Sequence, residues 1–274
     1  MQVTFWGVRG SAPISSPDTV QVGGNTSCVQ VMLSDGTPLL LDAGTGLIRF
    51  GEAWQQPSTH FHILLSHAHW DHIQGFPFFS PAYLPEHRIS VYGPRHKDYT
   101  LEAILAQQMK APFFPVELST MQAAMSFHDL GAEQIHIGDA QITTAPFYHP
   151  GGVLGFRIEE KGKTLVFATD MEYAHDAIPE HLVAFARGAD VLIFDAQYTP
   201  EELVKKKGWG HSTHLTAAHL AKKAGVKRVM LYHHDPSHGD EALFQMEKEA
   251  RVIFEASFLA YEGLQLNLDQ LPSP

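Results

Sequence analysis

The 274-residue sequence contains a single cysteine, Cys28, and has too few basic residues to balance its acidic ones. One cysteine excludes both an intramolecular disulfide and a cysteine metal cluster. Lys plus Arg number 19 and Asp plus Glu number 30, so the formal net charge is −11 with His neutral. This balance argues against binding to duplex DNA, because a duplex-binding protein needs a basic face to displace counterions. It does not exclude a small anionic substrate, since a bound metal ion can dominate the local charge.

Long apolar segments are also missing. No stretch is long enough to cross a bilayer, and the N-terminal residues lack the basic start and apolar run of a signal peptide. We therefore expect no membrane partner and a cytoplasmic location. Hydrophobic residues make up 44% of the chain and charged residues 18%, a globular composition that is ample for a buried core. Since no linker, repeat or low-complexity tract interrupts it, we expect one domain over residues 1–274.

The pattern of apolar residues predicts strands first and then a mixture of strands and helices. Turn residues at 34–36 and at 161–162 predict two hairpins. Helical spacing predicts helices at 97–110, 179–187, 200–207, 213–224 and 238–255. Strands near 63–65, 191–194 and 228–232 each end in a loop that carries His or Asp. In layered α/β proteins such strand ends are where functional sites are built.

Histidine is abundant, with 18 residues, and the sharpest cluster spans residues 67–72 at the end of a predicted strand. Alternate residues of an extended segment point the same way, so His67 and His69 can bind one ion. Asp71 and His72 then face a neighbouring position as the chain turns into a helix. Burying these polar groups costs free energy unless they are paired or bound to metal. The cluster therefore predicts a metal site.

One loop cannot complete two metal coordination spheres, so further ligands are expected at other strand ends. Three candidates follow predicted strands: His149, Asp170 and His233. A lone His in such a place is more often a hydrogen-bonded structural residue. Together with the first cluster, however, these side chains provide enough donors for two ions that share a bridging carboxylate.

These motifs resemble those of the metallo-β-lactamase fold hydrolases. The shared features are the HxHxDH cluster, a later His, the Thr-Asp pair and the final HxxP. Other segments fall in the same order, namely GGNTSC, LLLDAGTG, HPGG, FATD, FDAQYT, GWGHST and LYHHDP. The resemblance covers nearly the whole chain. It implies an α/β fold, a four-layer αββα sandwich of two mixed β-sheets flanked by helices, with a two-metal site at the sheet edge.

The resemblance also assigns the ligands. For the first metal it implies His67, His69 and His149. For the second it implies Asp71, His72 and His233, with Asp170 bridging both. His233 is favoured over His234 because it precedes Pro236 by three positions, as the last histidine does in the family. Imidazole and carboxylate donors without thiolates suit zinc first, and manganese or iron as alternatives.

The segment Gly210-His211-Ser212-Thr213 resembles the GHST motif of the ribonuclease Z and phosphodiesterase-like branch. There the histidine contacts the scissile phosphate or protonates the leaving oxygen, and an acidic residue supports it. Asp195 matches that acidic position. The structural alternative is that His211 merely precedes the cap of the helix at 213–224, with Ser212 or Thr213 as the cap.

We therefore expect a dinuclear metal-dependent hydrolase of phosphodiesters, with a small or cyclic nucleotide as substrate. A metal-bridging hydroxide oriented by Asp71 would attack phosphorus, and His211, held by Asp195, would act as general acid. The alternatives are a tRNA 3′-processing endoribonuclease, a thioester or lactam hydrolase, and a non-catalytic metal-binding protein. A homodimer is common in similar proteins and is compatible with this sequence.

Two further features leave alternatives open. The basic run 205–207 beside the GHST motif is either a solvated helix face or an attractant for phosphate. The aromatic residues of 76–79 and 113–114, with Met109, either pack in the core or line the substrate mouth, a dimer contact or a base-stacking surface. No long basic arm lies between His149 and Asp170, which weighs against a folded RNA substrate.

Overall fold

A computed structural model describes residues 1–271 and arranges them as two seven-stranded β-sheets that pack face to face, with helices on their outer sides. In the first sheet the order is β14-β1-β2-β3-β4-β5-β6. Its strands are β1 (Gln2–Gly7), β2 (Cys28–Met32), β3 (Pro38–Leu41), β4 (His60–Leu64), β5 (Arg88–Pro94), β6 (Ala124–Leu130) and β14 (Gln265–Asn267). The predicted αββα sandwich is confirmed.

The second sheet has the order β13-β12-β11-β10-β9-β8-β7. Its strands are β7 (Gln134–Ile137), β8 (Ala140–Phe147), β9 (Val153–Glu160), β10 (Lys163–Ala168), β11 (Val191–Asp195), β12 (Val229–Tyr232) and β13 (Ser257–Leu259). Both sheets are mixed. Strands β3 to β6 run parallel in the first sheet, and β10 to β13 run parallel in the second.

The seven helices in the described residues are α1 (Gly46–Ala53), α2 (Trp70–Ile73), α3 (Leu101–Gln108), α4 (Glu180–Ala186), α5 (Pro200–Lys205), α6 (His214–Ala224) and α7 (Asp240–Ile253). The five helices predicted from spacing are present with slightly shorter bounds. Helix α3 begins after Thr100, whose hydroxyl accepts the Ala103 N–H, so 97–100 stay outside it. No helix among residues 1–271 is both long and apolar enough to span a membrane.

The core has two parts. A large apolar cluster that includes Leu64 and Ile193 lies between the sheets and extends beneath the helices of the second sheet. A second cluster, which includes Phe61 and Ile63, lies between the first sheet and its helices. Successive residues of β4 thus alternate between the two clusters, as the pleat of a strand requires. All five residues of β11 are buried, because the first sheet covers one face of the second sheet and helices cover the other.

The two hairpins predicted from turn residues are also present. Strand β2 pairs antiparallel with β3, and β9 with β10. The tight turns need left-handed backbone, with φ of 88° at Gly36 and 74° at Gly162, which glycine adopts without steric cost.

This topology determines where a site can form. Parallel neighbours share one direction, so their carboxyl ends meet at the same edge of the sheet. The end of β4 from the first sheet and the ends of β8, β10, β11 and β12 from the second lead into loops that carry predicted site residues, and the end of β3 leads to Asp42 beside them.

Candidate metal centre

The structure brings the predicted ligands together at one edge of the sandwich, in two adjoining groups. In each group, one nitrogen or oxygen atom from every residue lies within 4.8 Å of the others. The first group is His67, His69 and His149; the second is Asp71, His72, Asp170 and His233. The ring centroids of His67 and His72 are 4.3 Å apart, so the groups touch.

Local backbone geometry explains this placement. His69 has an extended backbone and is the N-cap of α2, which begins at Trp70, so Asp71 and His72 fall in the first helical turn. Three acidic or imidazole side chains follow strands β3, β10 and β12 in left-handed backbone: Asp42 with φ 63°, Asp170 with φ 57° and His233 with φ 61°. Such strained conformations are concentrated at functional sites, where surrounding contacts hold them in place.

Hydrogen bonds to the far side of three imidazoles determine which nitrogen faces the centre. Nδ1 of His72 lies 2.7 Å from the Asp42 carboxylate, and Nδ1 of His233 lies 2.9 Å from the amide oxygen of Gln197. Nδ1 of His149 lies 2.9 Å from the Gly210 carbonyl oxygen. Because each partner is an acceptor, Nδ1 carries the hydrogen and Nε2 presents its lone pair to the centre, the usual arrangement behind metal-binding histidines.

The inward-facing nitrogen atoms lack protein partners that suit them. Nε2 of His67 is buried and has no hydrogen-bond partner within residues 1–271. Nε2 of His72 faces Nε2 of His233 at 3.1 Å, and Nε2 of His149 faces Nδ1 of His69 at 3.1 Å. Lone pairs at this separation repel each other, whereas a cation between them would satisfy both. The donor set therefore fits divalent metal ions.

The Asp170 carboxylate spans both groups. Its Oδ1 lies 3.9 Å from Nε2 of His67 in the first group. Its Oδ2 lies 3.3 Å from Nε2 of both His72 and His233 in the second. Asp71 belongs to the second group alone, with Oδ2 3.1 Å from Nε2 of His233. The same oxygen accepts the Ser11 N–H at 2.7 Å.

The electrostatics keep the carboxylates in their metal-binding form. Burial raises the pKa of Asp170, but the nearby His233 and His72 outweigh burial and hold that pKa well below its usual range. Burial lowers the pKa of His67 well below its usual value, so this imidazole is neutral. Burial also lowers the pKa of His72, but Asp71 and other carboxylates raise it overall. A proton and a metal ion therefore compete for His72.

The second predicted pair lies beside both groups. Nδ1 of His211 lies 2.9 Å from Oδ2 of Asp195, and the His211 ring stacks on His233 with centroids 5.1 Å apart. Burial lowers the pKa of His211, but the charge and hydrogen bond of Asp195 raise it overall. The helix cap is Thr213, one of the two caps expected from the sequence, and its hydroxyl accepts the Thr216 N–H at 3.0 Å. The side chain of His211 is thus directed at Asp195 and not at the helix.

His234 occupies a different environment from His233. It is fully buried, and its Nε2 lies 3.0 Å from the Ala260 carbonyl oxygen. Neither donor group contains it. This placement favours His233 as the ligand, although the ligand set as a whole stays a prediction.

Several supporting residues were not predicted from the sequence. Asp42 and Gln197 orient two of the imidazoles, as described above. Glu172 accepts backbone N–H groups of Gly208 at 2.8 and 2.9 Å and of Gly210 at 2.8 Å. It thereby anchors the loop that carries His211 and the carbonyl behind His149. Asp42 and Gln197 belong to the motifs LLLDAGTG and FDAQYT, but only their spatial neighbours show what these side chains contact.

The structure also shows the surroundings of the basic run 205–207 and of the aromatic residues of 76–79 and 113–114. In the basic run, Lys206 pairs with Asp235 at 2.8 Å, whereas Lys205 and Lys207 are exposed, as on a solvated helix face. Among the aromatic residues, Phe76 and Phe79 are buried in the core, as is Met109. Phe78 and Phe113 are 55% and 80% exposed, and Phe78 packs edge-on against Phe114.

Comparison with known proteins agrees with this geometry. Residues 37–234, more than half of the chain, match the family described as beta-lactamase superfamily domain. The chain belongs to this superfamily. It is therefore a member of the metallo-β-lactamase fold hydrolases, as the sequence motifs led us to expect. Proteins of this fold usually bind two divalent metals, and the histidine and aspartate groups at the sheet edge are consistent with that.

Relatives of this superfamily member span its full length. Ribonuclease Z of Lacticaseibacillus casei is 25% identical over an alignment that covers 98% of this chain and 95% of the relative. The solved structure of the metallo-β-lactamase fold protein YhfI from Bacillus subtilis has a TM-score of 0.74 and 21% identity, covering 97% of this chain and 98% of YhfI. A diphosphatase of the PhnP family has a TM-score of 0.71 and 20% identity, covering 97% of both chains. The expected resemblance to the ribonuclease Z and phosphodiesterase-like branch is confirmed.

Proposed function

We propose that this superfamily member is a metal-dependent phosphodiesterase that hydrolyses a small or cyclic nucleotide. The observation that carries the proposal is the buried His211–Asp195 pair, joined at 2.9 Å and set against the two donor groups. A proton donor beside a dinuclear centre suits the cleavage of an ester whose leaving group is a poor anion.

The proposed ligand set follows the two groups. His67, His69 and His149 would hold one divalent ion, and Asp71, His72 and His233 a second, with Asp170 shared between them. Zinc is the first choice for these nitrogen and oxygen donors, and manganese or iron are the alternatives. When bound, the ions would supply Lewis acidity and lower the pKa of a coordinated water.

The remaining chemistry belongs to the chain. Asp71 would accept a hydrogen bond from the attacking water and so orient its oxygen toward phosphorus. As the new P–O bond forms, the ester P–O bond breaks, and the electron pair leaves with the ester oxygen. His211 would donate the proton on Nε2 to that oxygen. Asp195 accepts at Nδ1 of His211, which fixes the ring and raises its pKa, so a protonated donor is available near neutral pH.

The test compares two leaving groups in the wild type and in His211→Ala. p-Nitrophenolate is a stable anion and needs no proton, whereas the ribose oxygen of a cyclic nucleotide does. We expect His211→Ala to lose about 10²- to 10⁴-fold in turnover of a cyclic nucleotide. The variant should lose far less with bis(p-nitrophenyl) phosphate and should retain its metal content. His136→Ala, at an exposed position of β7, is the matched control. Equal losses on both substrates would refute the general-acid role.

A second candidate is an endoribonuclease that trims tRNA 3′ ends. The relative named ribonuclease Z, which matches 98% of this chain, favours it. Against it, only the short hairpin of β9 and β10 lies between His149 and Asp170, with no extended basic arm. Specific cleavage of precursor tRNA at nanomolar enzyme, with no turnover of cyclic nucleotides, would establish this alternative in place of the first.

A further inference from the structure

A pocket of about 260 Å³ opens directly from the first donor group. His67 and His69 line it on the side of the donor group, and Leu101 and Ile104 contribute apolar lining. Its rim comes from the segment after β5, including Arg95, His96 and Tyr99. A phosphoryl group held by the donor groups would therefore be positioned to place one of its substituents in this pocket.

The size of this pocket limits what it can hold. Pockets for small ligands usually measure about 300–1,000 Å³, so this one, at about 260 Å³, lies just below that range. It has room for one small substituent, such as a single nucleoside, and not for a folded RNA stem.

The charge of the lining is unusual for this chain. Acidic residues outnumber Lys plus Arg by 30 to 19 in the sequence. Among the described residues, however, no Asp or Glu lines the pocket, while Arg95 and His96 do. Electron-rich groups are therefore favoured here, where other parts of the surface would repel them.

Two aromatic rings at the rim offer stacking surfaces. The rings of His96 and Tyr99 are 5.4 Å apart, and Tyr99 is half-exposed. A flat, electron-rich ring such as a nucleobase can stack on Tyr99 with its polar edge toward Arg95. Neither an alkyl chain nor a simple phosphate would use all of these features.

The position of the pocket relative to His211 indicates which substituent of phosphorus the pocket binds. His211 is not part of the pocket wall. His149 lies between them, with ring centroids 4.9 Å from His69 and 5.6 Å from His211. The leaving oxygen, which His211 protonates, and the group in the pocket are therefore different substituents of phosphorus.

We infer that this pocket binds the nucleoside that stays on phosphorus, with Tyr99 as the residue that recognises its base. The inference rests on the proposed phosphodiesterase function. Hydrolysis would then free a hydroxyl at His211, either as a separate alcohol from a linear diester or on the same nucleoside from a cyclic one, and leave a nucleoside monophosphate with its nucleoside in the pocket.

The test uses two substrates with the same leaving group, thymidine 5′-(p-nitrophenyl phosphate) and methyl p-nitrophenyl phosphate. We expect Tyr99→Ala to lower kcat/KM about 5- to 150-fold for the thymidine ester, as expected for one lost base stack. The methyl ester should change less than twofold. Tyr99→Phe should restore activity on the thymidine ester, and Phe113→Ala, another exposed aromatic residue, should leave both substrates unaffected.

A binding measurement provides a readout that does not depend on turnover. Measured by calorimetry, Tyr99→Ala should lower the affinity for thymidine 5′-monophosphate and leave the affinity for inorganic phosphate unchanged. An equal loss on both esters, no loss on either, or a selective loss in Phe113→Ala instead would overturn the pocket assignment. If the wild type hydrolyses neither ester, the proposed phosphodiesterase function is refuted. Failure of the pocket assignment and failure of the proposed function therefore give different results.

Discussion

The contact behind His72 permits a sharp test of the metal centre. The Asp42 carboxylate is fully buried and accepts four hydrogen bonds, two from Ser66 and one each from Ser27 and His72. Its Oδ2 lies 2.7 Å from Nδ1 of His72, and its Oδ1 lies 2.7 Å from the backbone nitrogen of Ser66. Asp42→Asn keeps the shape of this side chain but replaces one acceptor oxygen with a donor NH₂ group.

Both orientations of that amide carry a cost. If the NH₂ group faces the Ser66 N–H, two donors oppose each other, because the backbone cannot turn. If it faces His72, the imidazole can accept at Nδ1 only by moving its own hydrogen to Nε2. The lone pair that faces the centre is then lost. We therefore expect the fold to survive and the affinity of the second group for metal to fall about 10- to 100-fold, equivalent to about 1.4–2.8 kcal/mol.

The assay is metal competition against a chelator, with the number of ions per chain measured by mass spectrometry of the metal. Wild type should bind two ions at a chelator strength where Asp42→Asn binds one. Asp139→Asn, an exposed aspartate in the turn between β7 and β8, makes the same chemical change and should behave as wild type. Unchanged affinity for both ions in a folded Asp42→Asn protein would refute the argument that Asp42 determines the His72 tautomer.

Three further perturbations have defined outcomes. Glu172→Ala should release loop 208–210 and lower turnover about 10- to 100-fold, whereas unchanged kinetics would show that the loop needs no anchor. Burial and two neighbouring imidazoles lower the pKa of His62 to about 4. The unfolded chain takes up that proton near pH ~6.5, so stability falls as the pH drops between these values. In urea unfolding of chelator-treated protein, His62→Phe should lessen that fall, and an unchanged pH dependence would contradict the assignment. Ile193→Ala, at a fully buried position, should lower the free energy of unfolding by about 2–5 kcal/mol. The control is Val252→Ala, because the Val252 side chain is 88% exposed; it should change the free energy of unfolding by no more than about 0.5 kcal/mol.

The helix α1 shows where local sequence was insufficient for the fold. The segment after β3 begins with small residues (Ala43-Gly44-Thr45-Gly46), which favour a loop, yet Gly46–Ala53 is helical. Thr45 makes no side-chain cap there, so local signals for a helix start are weak. Leu47 and Phe50 are buried against the first sheet, and this packing stabilises a helix that propensity alone does not predict.

The sequence by itself determined the chemistry available to this protein. Alternating histidines at 67–69 and the carboxylates of the motifs specify the donor type, because these signals depend on local spacing. The αββα fold was implied by the resemblance of the motifs, and of their order along the chain, to those of a known family. Only the tertiary structure decided how the donors are oriented. His72 meets Asp42 from 30 positions away, and His233 meets Gln197 from 36 positions away. Such contacts arise where the carboxyl ends of parallel strands converge at one edge of the sandwich, and no periodicity within a single strand encodes that convergence.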